Sequence, residues 1–228
     1  MASATPATNP PLVCWNCHER TLGTHFCSSC GKVLQVPENS DYFAMFELPR
    51  KLWIETVALE QKFLQLSWKL HPDNFVNAAQ EERDISLKRS SELNDAYRKL
   101  CDPIGRVEYL LAIEGSRVEG QNKQQAPPEL LEEVFELNES LDELRDAKAS
   151  GGETSALKQR LEAAEKNFQE KLGDVDAQLQ AAAQEWDRAL DAGKDQRDAA
   201  KAKLNELLNR RSYIRNLVLN VEKELVGT

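Results

Sequence analysis

Residues that interrupt helices are scarce in this chain, and long apolar runs are missing. The 228 residues include only 10 glycines and 9 prolines, and aromatic residues make up 7%. Ala, Glu, Leu, Lys and Gln dominate the second half, and all five are strong helix formers. No apolar run approaches the roughly 20 residues needed to cross a bilayer. This composition favours an all-α fold over sheets, in one or two domains with a small module.

Cations are also in deficit. The chain has 29 basic and 38 acidic side chains, a formal net charge of −9. This balance argues against general nucleic-acid binding, which needs cations to displace phosphate counterions.

Residues 1–11 lack the basic start and apolar stretch of a signal peptide and the arginines of a transit peptide. Four of the five cysteines lie between Cys14 and Cys30, unlike a disulfide framework spread over a secreted fold. We therefore expect a protein of a reducing, bacterial cytoplasm.

Helix breakers and composition shifts divide the chain into segments. The polar stretch Gly115–Pro128 predicts a boundary, and Ser150–Gly152 and Ala192–Gly193 interrupt the helical sequence after it. The expected segments are a flexible leader (1–11), a cysteine module (12–36), a helical domain (41–113), a linker (114–127) and a second helical domain (128–228). The second domain is expected to contain three helices, roughly 128–148, 154–191 and 194–225.

Two Cys-x-x-Cys pairs, Cys14–Cys17 and Cys27–Cys30, are separated by nine residues. Two intervening residues let both sulfurs of a pair reach one ion about 2.3 Å away, and Gly31 suits a tight turn that directs amides at sulfur. A redox pair is an alternative, although a thioredoxin-like site needs a βαβ context that this sequence lacks. His18 or His25 could also replace one cysteine as a ligand. We expect the four cysteines to bind one structural zinc ion per chain in a small zinc-ribbon-like module, with no open position for catalysis.

The first helical domain carries two amphipathic stripes. They consist of Leu59, Phe63, Leu66 and Leu70, and of Ser90, Leu93, Tyr97 and Leu100. Intervals of three and four residues predict two helices that pack against each other in antiparallel directions. Between them, Pro72 removes an amide donor and disfavours a helical conformation at His71. We therefore expect His71, Pro72 and Asp73 to be exposed at the tip of a helical hairpin.

A His-Pro-Asp tripeptide between two long helices resembles the J-domain. Three further segments narrow the resemblance to J-proteins of the HscB type: Asp41-Tyr-Phe-Ala-Met-Phe46, Asn94-Asp-Ala-Tyr97 and Asp102-Pro-Ile-Gly-Arg-Val-Glu-Tyr-Leu-Leu111. The gapless similarity covers about residues 41–113, and the cysteine module is similar to the one on animal and some bacterial HscB proteins. The resemblance implies a J-domain hairpin followed by a three-helix bundle that binds a client protein.

The resemblance also implies a role for the tripeptide. His71, Pro72 and Asp73 would engage the nucleotide-binding domain of a DnaK/HscA-class chaperone and trigger its ATP hydrolysis, so this protein would be an ATPase activator with no catalytic residues. Lys62 and Lys69 would steer the encounter, although Trp68 stands where a basic or polar residue is usual. From the residues alone, His71 and Asp73 could simply be a helix end and a turn. A hydrolase is a further alternative, but no Gly-x-Ser-x-Gly motif supplies its nucleophile.

The helix expected after the linker is strongly acidic. Residues 129–146 hold eight acids and one base, Arg145. An apolar stripe is expected to face inward, formed by Leu130, Val134, Leu137, Leu141 and Leu144. By positional match to HscB, the surface for the iron–sulfur scaffold protein IscU corresponds to Leu131, Glu132, Phe135, Glu136, Glu139 and Tyr213. From the residues alone, Leu131 and Phe135 could instead complete the core, with the acids forming a solvated face.

These observations lead to a first hypothesis of a monomeric adaptor that holds the scaffold and delivers it to the chaperone. A coiled-coil or oligomerisation protein with only the shape of a J-domain is the second hypothesis, which predicts self-association and no effect on ATP turnover. A zinc-dependent redox or nucleic-acid module is the third, and the acidic balance and closed ligand set disfavour it.

Overall fold

Helices dominate the computed structural model, which describes residues 12–21, 24–37, 40–117, 127–190 and 194–226. These residues form two compact units. The first contains the described residues up to Ser116 together with the end of a later helix from Trp186, and the second contains the remainder from Arg117. The predicted all-α fold with a small cysteine module is confirmed. The expected leader (1–11) and residues 118–126 of the expected linker lie outside the described residues. Among the described helices, none combines the length and apolar character of a membrane span.

The cysteine module is built from two small antiparallel elements. Strands β1 (Leu12–Val13) and β2 (Arg20–Thr21) pair with Leu12 opposite Thr21, and an isolated bridge joins Phe26 to Val33. The buried core of the module consists of Cys14, Cys27 and Leu34. So small an apolar core cannot offset the conformational entropy lost on folding, and a bound metal is the usual additional stabiliser.

The rest of the first unit is a helical hairpin with two shorter helices. The helices are α1 (Tyr42–Met45), α2 (Thr56–Leu70), α3 (Gln80–Cys101) and α4 (Pro103–Ile113). Helices α2 and α3 bury Leu59 and Leu100 between them, and the rings of Phe63 and Tyr97 stack with centroids 4.2 Å apart. The hairpin predicted from the two stripes is therefore confirmed.

The buried face of α3 is rotated relative to the predicted stripe. Ser90 and Tyr97 are only half-buried, whereas Ala96, Ser86 and Arg89 lie at the centre of the face. Ser86 Oγ donates to the carbonyl of Leu70 at 2.8 Å. The rotation has a physical cause, because α2 is not the only element that packs on α3. The cysteine module contacts Glu82 and Arg89, and α1 and α4 pack on α3 as well, so residues that face these elements are also buried.

The second unit is a three-helix bundle. Its helices are α5 (Leu131–Ser150), α6 (Ser155–Ala189) and α7 (Lys194–Val226), and α6 belongs to this unit as far as Glu185. Helix α5 ends at the predicted Ser150–Gly152 break, because Gly151 adopts the left-handed conformation at φ +70° and Gly152 N donates to the carbonyl of Ala147 at 2.8 Å. The predicted inward stripe of α5 is buried throughout. The three predicted helices are confirmed, and each of their ends lies within three residues of the predicted position.

Ion pairs between the three helices of the bundle show which of them run parallel and which antiparallel. Helices α5 and α6 are antiparallel, since Glu133 pairs with Lys171 and Glu143 with Arg160. Helices α5 and α7 are parallel, and their pairs are Glu129 with Arg210 and Arg145 with Glu224. The start of α5 therefore lies at the level of residues 210–213 of α7.

Candidate functional sites

The four cysteine sulfurs converge on one point. Their Sγ atoms all lie within 4.8 Å of one another, with Cys14 and Cys30 3.6 Å apart and Cys17 and Cys27 3.7 Å apart. A tetrahedral ion with bonds of about 2.3 Å holds its sulfurs roughly 3.8 Å apart, whereas a disulfide needs about 2.0 Å. All four cysteines are free thiols. The donor set therefore fits one tetrahedrally coordinated metal ion.

Each cysteine pair forms a similar turn. Gly31 N donates to the carbonyl of Cys27, and His18 N donates to the carbonyl of Cys14, both at 2.9 Å. Gly31 has φ +73°, and His18 occupies the matching place with φ +59°. In the turn of the first pair, His18 therefore adopts the left-handed conformation that Gly31 adopts in the second.

The protonation states of the thiols favour a cation among them. Backbone amides of Cys30 and Ser29 donate to the sulfur of Cys27 and lower its pKa to about 6. The amide of Glu19 lowers the pKa of Cys17, but burial and the other thiols outweigh it and raise that pKa to about 12. Four thiolates cannot coexist here without a compensating positive charge, which a bound metal ion supplies.

Neither histidine joins this cluster. His18 is exposed, while His25 is buried and turned towards the helices, with Nε2 3.0 Å from the carbonyl of Met45 and Nδ1 in contact with the Arg89 guanidinium. Burial and the nearby charge of Arg89 lower the pKa of His25 to about 4, so the ring is neutral at pH 7. His25 therefore links the module to the helical hairpin and is not a metal ligand.

The predicted corner lies between α2 and α3. Helix α2 ends at Leu70, and Pro72–Phe75 form a single 3₁₀ turn before α3. The side chains of His71 and Asp73 are 53% and 85% exposed, and Pro72 is half-buried. The exposure predicted for the histidine and the aspartate is confirmed.

Hydrogen bonds fix the shape of this corner. His71 Nδ1 accepts from Asp73 N at 3.3 Å, and Asn74 Nδ2 donates to the carbonyl of Trp68 at 2.6 Å. Because Nδ1 accepts, the proton of the neutral ring is on Nε2, where it can be donated to a partner. The carboxylate of Asp73 can accept a bidentate pair from an arginine of another protein.

The two lysines of α2 differ in availability. Lys62 is half-buried, and its ammonium donates to the carbonyl of Phe46 at 2.8 Å, at the end of α1. Lys69 is exposed. Both line a groove that also contains His25 and Phe26 of the cysteine module. Lys62 thus has a structural role within the first unit, and Lys69 is the more accessible cation.

The first turns of α5 present a mixed acidic and apolar face. Leu131 is 56% and Phe135 71% exposed, so the alternative in which they complete the core is wrong. Glu132, Glu136 and Glu139 are exposed beside them. Among the described residues, none of these three acids takes part in an ion pair, unlike Glu133 on the same helix and Glu129 in the turn before it.

Tyr213 lies at the same end of the bundle as this face. It is half-buried, and burial raises its pKa. It follows Arg210, which pairs with Glu129 at 3.1 Å, by one turn of α7. We call the set Leu131, Glu132, Phe135, Glu136, Glu139 and Tyr213 the acidic–apolar surface.

Several residues that organise these sites were not identified from the sequence. Glu82 on α3 pairs with Lys32 of the cysteine module at 2.7 Å, and Arg89 Nη2 donates to the carbonyl of Thr24 at 3.0 Å. Asp187, near the end of α6, accepts from the amides of Leu52 and Trp53, each at 2.7 Å. The sequence feature that could have identified Glu82, Arg89 and Asp187 is a charged residue at a helix position that periodicity places next to the core.

The hairpin with its exposed His-Pro-Asp corner defines a J-domain. Residues 126–218 match the family model described as "HSCB C-terminal oligomerisation domain". The chain is 32% identical to the mouse iron–sulfur cluster co-chaperone protein HscB over 90% of this chain and 79% of that protein. It is 30% identical to the co-chaperone protein HscB homolog of Vibrio vulnificus YJ016 over 73% of this chain and 94% of that protein. The crystal structure of human co-chaperone protein HscB superposes with a TM-score of 0.63 and 26% identity, covering 94% of this chain and 99% of that chain.

The mouse and human comparisons each cover at least 90% of this chain. The chain belongs to the HscB family of iron–sulfur cluster co-chaperones.

Proposed function

We propose that this protein binds an IscU-like iron–sulfur scaffold protein and delivers it to a DnaK/HscA-class chaperone, whose ATPase it stimulates. It acts in the cytoplasm, catalyses no reaction itself, and carries one structural zinc ion on Cys14, Cys17, Cys27 and Cys30. The observation that carries the proposal is the exposed corner between α2 and α3, where the side chains of His71 and Asp73 face solvent, with Nδ1 of His71 3.5 Å from Oδ2 of Asp73.

The chemistry of the corner suits the docking of another protein. Pro72 and the two hydrogen bonds of the turn hold the backbone in one shape, which lowers the entropy lost when a partner binds. Asp73 offers a carboxylate that can pair with a partner arginine, and His71 offers a ring N–H.

The acidic–apolar surface is proposed to bind the scaffold. Leu131 and Phe135 are large, exposed anchors whose burial would supply affinity. The surrounding glutamates would orient a basic partner surface and accelerate the encounter. Binding of scaffold and chaperone at separate places on one chain is what an adaptor requires.

The test measures ATP hydrolysis by the cognate DnaK-class chaperone as this protein is added, with and without scaffold. We expect stimulation, greater with scaffold, and we expect His71→Gln and Asp73→Asn to reduce the rate to the level of the chaperone alone. Asp95→Asn is the matched control, because Asp95 is exposed on α3 and pairs only locally with Arg98. Full stimulation by His71→Gln would refute the proposal.

Self-association is the second candidate function, since the matched family model is described as an oligomerisation domain. Sedimentation equilibrium separates the two candidates. The adaptor proposal expects a monomer that stimulates ATP turnover, whereas an oligomerisation protein would self-associate and leave ATP turnover unchanged.

A further inference from the structure

Glu82, in the first turn of α3, is a buried carboxylate that contacts the cysteine module. Its side chain is only 5% exposed. Oε2 accepts from the ammonium of Lys32 at 2.7 Å, and Oε1 accepts from Val33 N at 3.5 Å. A buried carboxylate is costly to keep charged unless it is paired and hydrogen-bonded. The contact therefore fixes where Lys32 and Val33 lie against α3.

The backbone of Lys32 and Val33 is bonded in turn to both cysteine pairs. The carbonyl of Lys32 accepts from Cys27 N at 2.8 Å, which closes the turn of the second pair. The carbonyl of Val33 accepts from Trp15 Nε1 at 2.8 Å, and Trp15 stands between the two cysteines of the first pair. Hydrogen bonds thus connect the Glu82 carboxylate to each of the two turns that carry the sulfurs.

Arg89 holds the same part of the module at a second point on α3. It lies seven residues, or about two helical turns, after Glu82. Its Nη2 donates to the carbonyl of Thr24 at 3.0 Å, and the carbonyl of the next residue, His25, accepts from Leu34 N at 2.9 Å. Two contacts separated along one rigid helix set the orientation of the module as well as its position.

We infer that Glu82 is a positioning residue of the metal site, which holds the two cysteine pairs, through Lys32 and Val33, in the arrangement that binds the ion. The inference rests on the structural zinc of the proposed function and adds a source of its affinity. A site that is already held in its bound shape loses less conformational entropy when it binds, so it binds more tightly. By thermodynamic linkage, the contact between α3 and the module is strengthened by the same factor when the ion is bound.

The experiment measures the zinc affinity of the full chain by competition with a chromophoric chelator. Glu82→Ala should weaken the affinity by roughly 5- to 150-fold, the range typical of coupled sites. Lys32→Ala should weaken it to a similar extent, because it removes the same ion pair from the module side and leaves the sequence of α3 intact. The double variant should bind within about twofold of Glu82→Ala, because the two substitutions remove one shared contact.

Glu81→Ala is the matched control, because Glu81 is an exposed acid in the same turn of α3. Its removal changes the charge of the chain and of the helix end as Glu82→Ala does, and it should leave the zinc affinity unchanged. Absorption spectra of the cobalt(II)-loaded variants should keep the tetrahedral thiolate bands, which would show that the weakened sites still bind through four sulfurs.

A role for Glu82 in fold stability alone would lower the urea midpoint of the first unit and leave the zinc affinity as it is. That result would overturn the inference, and so would a loss of affinity that Glu81→Ala shares or that adds fully between Glu82→Ala and Lys32→Ala. An unmodified chain that takes up no zinc would instead show that the metal in the proposed function is wrong, and the inference would fail with it.

Discussion

Replacement of Arg106 by leucine is expected to destabilise the first unit severely, although the residue touches none of the candidate sites. The Arg106 side chain is buried, and burial lowers the pKa of its guanidinium. Nε donates to the carbonyl of Leu100 at 2.7 Å and Nη1 to the carbonyl of Leu52 at 2.5 Å. The first carbonyl belongs to the last turn of α3 and the second to the segment before α2, so one side chain ties the ends of the hairpin together.

The magnitude follows from these two bonds. A hydrogen bond from a charged donor contributes about 1.5–3 kcal/mol, and the two together about 3–6 kcal/mol. Leucine relieves the cost of burying the charge but leaves two buried carbonyls without this donor, so we expect a net loss of about 3 kcal/mol in the free energy of unfolding. With an m value of roughly 2 kcal/mol/M, the urea midpoint should fall by about 1.5 M.

Tryptophan fluorescence is a suitable assay. All four tryptophans, at positions 15, 53, 68 and 186, belong to the first unit, so their emission reports its unfolding. Arg98→Leu is the control, since the Arg98 side chain is 75% exposed and its surface pair with Asp95 contributes less than about 1 kcal/mol. A midpoint for Arg106→Leu that matches that of Arg98→Leu would refute the reasoning.

Two further predictions concern the other sites. The double variant Leu131→Ala/Phe135→Ala should weaken scaffold binding, measured by calorimetry, by roughly tenfold or more without loss of helicity. The control Leu219→Ala, which truncates a 48% exposed leucine on α7, should leave the affinity unchanged. Equal affinities of the double variant and the unmodified protein would show that this face does not bind the scaffold. Chelation should release one zinc ion per chain and accelerate amide hydrogen exchange in residues 12–36 and in α3 near Glu82 and Arg89. Exchange in α5 to α7 should not change. Unchanged exchange in α3 would show that the stability of the helices does not depend on the cysteine module.

Much of this architecture could be predicted because it depends on patterns that few alternatives share. Two consecutive glycines at 151 and 152 favour a helix end, because the first can adopt the left-handed conformation that closes a helix. Two Cys-x-x-Cys pairs at short range favour one shared ion. Pro72 likewise breaks the helical hairpin at a definite residue.

Polar residues that act inside the fold could not be predicted in the same way. Arg89 on α3 and Asp187 on α6 occupy helix positions next to the core, and the sequence does not show whether a charged side chain there reaches solvent or another segment of the chain. Their burial depends on which distant segment packs over them: residues 24–25 in one case and residues 52–53 in the other. The same dependence explains Lys62, whose partner carbonyl belongs to Phe46, the residue that follows α1.

The bonds from Leu52 and Trp53 to Asp187 have a consequence for the order in which the protein is made. The first unit is discontinuous in sequence: Ser116 and Trp186, which both belong to it, are 70 residues apart. At a translation rate of roughly 5–20 residues per second, the acceptor for these amides emerges from the ribosome several seconds after the hairpin that needs it. During that interval the amides of Leu52 and Trp53 in the nascent chain lack the Asp187 carboxylate. A shortened chain that stops before α6 would lack it permanently.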